Sequence, residues 1–121
     1  MVYTGHSFQV NRARVRRMAR FVSSVPPSTS TPVTTWTVCS LYLGPEFAVS
    51  IGADACRHKC QRKFQSAERN GLIARMPSRV PSASPDAHKG CDPRLIRKEL
   101  AWRRTELGEQ FLREAREEGL L

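Results

Sequence analysis

Apolar positions recur at helical spacing in three stretches of the chain and at alternating spacing in one. The clearest helical stripe is Cys56, Cys60, Phe64 and Ala67, at i, i+4, i+8 and i+11, with His58, Arg62 and Arg69 opposite. Asp54 suits the start of this helix as an N-cap, and Asn70-Gly71 suits its end, with Leu72 and Ile73 folding back onto the last turn. A second stripe, Phe8, Val15, Met18, Ala19 and Val22, predicts a basic amphipathic helix from about Ser7 to Ser23, closed by Pro26-Pro27. A third, Ile96, Leu100, Leu107, Phe111 and Ala115, predicts a long helix over 93–119, opened by Asp92-Pro93 and ended at Gly119. Arg103, Arg104 and Gly108 interrupt this last pattern, and Trp102 lies off its stripe.

Between the first two helices, Thr35 to Leu43 is rich in β-formers, Gly44-Pro45-Glu46 reads as a turn, and Phe47, Val49 and Ile51 alternate with Ala48 and Ser50. This predicts a β-hairpin leading into the central helix. The resulting organisation is a basic amphipathic segment (1–25), a Pro/Ser/Thr linker (26–34), a ββα unit (35–75), a flexible linker (76–92) and a C-terminal helix (93–119). The predicted fold class is a small, loop-rich α+β protein with substantial disorder. Hydrophobic content of 40% is too high for a wholly disordered chain, while 7% aromatic residues and eight prolines limit the core.

Charge changes the picture most. A net charge of +9 and a pI near 10.3 describe a surface that attracts polyanions, nucleic acid foremost. No acidic residue precedes Glu46, whereas the part from Pro93 is nearly balanced, so the basic character belongs to the first three quarters of the chain. The leading functional expectation is nucleic-acid binding, RNA favoured, through arginine–phosphate contacts. The candidate residues are Arg12, Arg14, Arg16, Arg17 and Arg20 with Arg57, Lys59, Arg62 and Lys63, and Trp36 or Tyr42 offers a stacking surface.

Two other readings stand beside it. The Arg-rich, acid-free N-terminus has the composition of an organellar presequence, which makes the chain an imported assembly protein, mitochondrial in location, with a partner-binding C-terminal helix. The interrupted patterns also fit a poorly folded product of a recently arisen or overlapping reading frame without a defined biochemical function. An intracellular location is otherwise favoured, since the four cysteines form no disulfide framework behind a signal peptide, and no apolar run is long enough to span a membrane.

The sequence contains no complete catalytic motif, and the expectation is that the protein is not an enzyme. His58 projects away from the Cys56–Cys60 face, and the glycines are accounted for by turns and caps. No cofactor is expected. The one metal reading is a structural zinc held by Cys39, Cys56, Cys60 and either Cys91 or His88. The run Cys56-Arg-His-Lys-Cys60 leading into a basic helix resembles the second half of zinc-ribbon and treble-clef modules, although the Cys-x-x-Cys pair that those modules carry in the preceding hairpin is absent. The alternative is that the cysteines serve as small buried apolar groups.

Overall fold

The computed structural model describes residues 11–85, 87 and 97–121, which form five helices and two small antiparallel sheets, an α+β arrangement. His6, Ser7, Phe8, His88, Cys91, the Asp92-Pro93 cap and Ile96 lie outside the described residues. Helix α1 spans Arg12–Ser23 and buries Val15, Met18, Ala19, Phe21 and Val22. Strand β1 is Val33–Thr34, followed by α2 (Thr35–Leu43), α3 (Pro45–Ile51) and α4 (Ala53–Arg69). Strands β2 (Ile73–Arg75), β3 (Val80–Pro81), β4 (Lys98–Glu99) and β5 (Ala101–Arg104) precede α5 (Glu106–Glu117). In the larger sheet β5 is central, with Val33 opposite Trp102 on one side and Ile73 opposite Arg104 on the other. The smaller sheet pairs β3 with β4.

The predicted hairpin over 35–51 is not formed: that stretch is two helices. Its β propensity is overridden by local capping and by packing, which a half-buried propensity scale does not capture. Thr34 takes the extended N-cap conformation and its hydroxyl accepts from the Thr37 N–H at 3.3 Å. Gly44, at φ 99°, ends α2, and Pro45 occupies the first turn of α3, so Gly-Pro is a helix-to-helix junction here. Trp36, Val38 and Cys39 are buried against the rest of the core.

The predicted helix over 93–119 is also shorter than expected. Its C-terminal half is α5, but Lys98–Glu99 and Ala101–Arg104 are strands. The residues that disturbed the helical stripe mark the change: Trp102 is buried in the strand with Arg103 exposed beside it. Thr105 then caps α5, accepting from the Gly108 N–H at 3.0 Å. The buried face of α5 is Gly108, Phe111, Leu112 and Ala115, while Leu107 is exposed.

The central stripe forms as expected: Cys56, Cys60, Phe64 and Ala67 are all buried in α4. The helix starts two residues earlier than predicted, with Gly52 rather than Asp54 at the N-cap, and Asp54 instead meets Arg57 and Arg97. At the other end Leu72 N–H bonds to Ala67 O at 2.9 Å, and Leu72 and Ile73 are 2% exposed, the hydrophobic return expected after a glycine stop.

The core is threaded by an aromatic series. Tyr42 meets Phe21 edge-on at 5.4 Å, Phe21 meets Phe64 edge-on at 4.9 Å, and Phe64 lies 4.8 Å from Trp102. Trp102 Nε1 donates to Thr35 Oγ1 at 2.9 Å, joining β5 to α2. The first expected linker and the described part of the second are tied to this core. Pro26 O accepts from the Arg104 N–H at 2.8 Å, and the Ser28 N–H donates to Glu109 at 3.0 Å. In the second, Ser82 and Ser84 are buried next to the β3–β4 pair.

Candidate nucleic-acid interface

Helix α1 lies between α4 and α5, and its arginines divide between the two sides. Arg14 and Arg17, three residues apart, face α4, where Arg62, Lys63 and Ser66 come up from the other wall. With Met18 at the base, these side chains enclose a cleft of about 420 Å³. Arg14, Arg17 and Arg62 are exposed and Lys63 is half-buried, and among the described residues none of the four is paired with a carboxylate. Lys59, one turn before Lys63, is exposed and extends the basic stripe of α4 along the same side.

Tyr42 closes one end of this surface. The guanidinium of Arg20 and the ammonium of Lys63 each lie 5.5 Å from the centre of its ring. An aromatic face attracts cations, so half-buried Tyr42 holds the two charges of α1 and α4 near each other against their mutual repulsion. Its ring is engaged by these cations, and Trp36 is only 9% exposed. Neither ring is the open stacking platform expected from the sequence.

The remaining predicted residues stand apart from the cleft. Arg12 donates from Nη2 to the Glu118 carbonyl at 2.7 Å and lies 3.5 Å from its carboxylate, binding the start of α1 to the end of α5. Arg16 is exposed one turn further on, on the Arg12 side of α1. Arg57 pairs with Asp54 at 3.4 Å. Of the nine predicted cations, Arg14, Arg17, Arg20, Lys59, Arg62 and Lys63 therefore share one surface, and Arg12, Arg16 and Arg57 do not.

Cys39, Cys56 and Cys60 are buried thiols. Cys56 Sγ donates to Ala48 O at 3.4 Å, which anchors α4 to α3. The Cys39 thiol is pushed well above the ordinary thiol range by its hydrogen bond to Cys60 and by burial, which keeps it neutral. Among the described residues no group of three or more His, Cys, Asp or Glu is placed to hold a metal ion. The hairpin that a zinc-ribbon or treble-clef arrangement requires is replaced by α2 and α3.

A second basic cluster was not legible in the sequence. Arg57 and Arg97 meet on Asp54, and Arg79 and Lys98 stand nearby around a cavity of about 400 Å³. Arg79 falls in a Pro/Ser-rich stretch and Arg97 and Lys98 fall in a predicted helix, so no periodicity connected them.

No family model matches the chain, and no curated protein and no solved structure matches it either. Among the described residues no helix is long and apolar enough to cross a membrane.

Proposed function

We propose that the protein is a small basic nucleic-acid-binding protein that tracks a single-stranded backbone, RNA favoured, along the α1–α4 cleft. The observation that carries this reading is the convergence of Arg14 and Arg17 with Arg62 and Lys63, two basic helix flanks facing one cleft with no carboxylate between them among the described residues. A chain of phosphodiesters neutralises such a surface, and release of its counterions drives binding. Arginine adds planar forks suited to phosphate oxygens and to unpaired bases. Because Val15, Phe21 and Val22 of α1 are fully buried, α1 acts as a wall of a preformed groove rather than as a free peptide entering a duplex groove.

The test is binding of a fluorescent single-stranded RNA across a salt series. Each phosphate contact contributes about −0.7 to the log–log slope on single strands, so replacing Arg14, Arg17, Arg62 and Lys63 with Gln lowers the slope by about three units. Gln at Arg12 and Arg16 changes it far less. Equal effects of the two sets, or absence of binding by the wild type at low salt, would refute the cleft as the interface.

A further inference from the structure

We infer that the cavity between the start of α2, the start of α4 and β4 is a phosphomonoester site, taking the terminal phosphate of a nucleotide or of a nucleic-acid strand. Its volume of about 400 Å³ suits a ligand the size of a mononucleotide. Among the described residues four cations line it, Arg57, Arg79, Arg97 and Lys98, against two carboxylates, Asp54 and Glu99. The excess of two positive charges matches a phosphomonoester, which carries close to two negative charges at neutral pH, better than it matches a phosphodiester with one.

The two carboxylates have different duties. Glu99 is committed to the fold: its Oε1 accepts from the Trp36 N–H at 2.7 Å and its Oε2 accepts from the Ser82 hydroxyl. Asp54 sits on the cationic side, where a single oxygen accepts from Arg57 at 3.4 Å and from Arg97 at 3.2 Å. Its side chain is 72% exposed, and ion pairs of that kind are weak. Asp54 thus holds two guanidinium groups together and yields them to a stronger, divalent anion. Arg79 and Lys98 are exposed and have no carboxylate partner among the described residues, so they are available to the same ligand. This cluster is separate from the α1–α4 cleft, and the inference does not depend on that cleft binding nucleic acid.

Calorimetric titration of the full chain with AMP and with adenosine tests the site. AMP is expected to bind and adenosine not to bind. Replacing Arg79 and Lys98 with Gln weakens AMP by at least about tenfold, the scale of lost charged hydrogen bonds. Asp54→Asn, which removes the competing anion, tightens it. Arg14→Gln with Arg17→Gln leaves AMP affinity unchanged. A 5′-phosphorylated oligonucleotide compared with its 5′-hydroxyl form separates the two sources: a preference for the phosphorylated strand over AMP assigns the site to strand ends, and the reverse assigns it to free nucleotides. Adenosine binding as well as AMP, no binding of AMP at all, AMP affinity indifferent to Arg79 and Lys98, or AMP affinity lost with Arg14 and Arg17 overturns the assignment.

Discussion

Gly108 rests against the backbone of Leu72 so closely that a Cβ on Gly108 would overlap the Leu72 carbonyl oxygen. The same carbonyl accepts from the Thr105 N–H at 3.1 Å, so the first turn of α5 is docked directly on the exit from α4. Helix propensity favours Ala over Gly by about 1 kcal/mol in a helix interior. Here the steric conflict involves backbone, which cannot swing aside, and overpacking of this kind costs about 1–3 kcal/mol. Gly108→Ala is therefore expected to destabilise the protein, seen as a lower urea midpoint. A rise in the midpoint would show that the two backbones separate without cost.

What could be read from the sequence and what could not follow from the kind of contact involved. The stripe Cys56, Cys60, Phe64, Ala67 and the buried side of α1 were legible because helical spacing and burial coincide there. Thr35–Ile51 was misread because its apolar residues point to several neighbours at once, so alternation alone suggested a strand, while the deciding contacts are the Thr34 cap and distant partners such as Leu100 O. Arg97–Arg104 was misread because the i, i+4 spacing of Glu99 and Arg103 suggested a helix, whereas Glu99 accepts from Trp36 and Ser82 and residues 101–104 pair in a sheet with residues 33–34 and 73–75. Among the candidate cations, charge and helix face were visible in the chain. Which flank of α1 would face α4 was not, because that depends on how α1 packs.

Phe21 decides whether the N-terminal segment is an appendage. It is fully buried and touches both Tyr42 and Phe64. Phe21→Ala is expected to cost about 3–5 kcal/mol, the range for deleting a buried phenyl ring. Deleting residues 1–34, as removal of a presequence would, takes away α1 and β1 together and is expected to abolish cooperative unfolding. A truncated chain that still melts cooperatively would support the presequence reading.

Tyr42 gives a way to test whether its ring face or its hydroxyl is what the complex uses. With the ring removed by Tyr42→Leu, Arg20 and Lys63 lose the surface that holds them, and RNA affinity is expected to fall several-fold with a small change in salt slope. Tyr42→Phe keeps the ring face and is expected to bind like the wild type. Loss of affinity in the Phe variant as well would mean that the hydroxyl, and not the cation–ring contact, is what the complex uses.

Glu68 is expected to make stability acid-sensitive, because its two oxygens each accept from Arg75 at 2.7 Å. This bidentate pair holds the Glu68 carboxyl below its ordinary value of 4.5. A carboxylate with a lowered folded-state value contributes stability above the unfolded value and loses it as pH falls through the folded one. Glu68→Gln is thus expected to lower the thermal midpoint near pH 7, with the difference from wild type shrinking below about pH 4.5. A difference that stays constant down to strongly acidic pH would assign the effect to packing instead.

The buried thiols provide the last test, because Cys39 and Cys56 have different partners. Cys56 faces a carbonyl oxygen, Ala48 O, to which a serine hydroxyl can also donate. Cys39 lies beside the sulfur of Cys60, a poor acceptor, inside an apolar cluster. Alanine at either position removes one atom and is expected to be mild. Cys39→Ser buries a hydroxyl without an adequate partner and is expected to cost about 1–3 kcal/mol more than Cys39→Ala, whereas Cys56→Ser is expected to differ little from Cys56→Ala. A metal chelator is expected to leave the melting temperature of the wild type unchanged. If the two serine variants are equally damaging and the chelator matches them, the thiols are holding a metal and not packing a core.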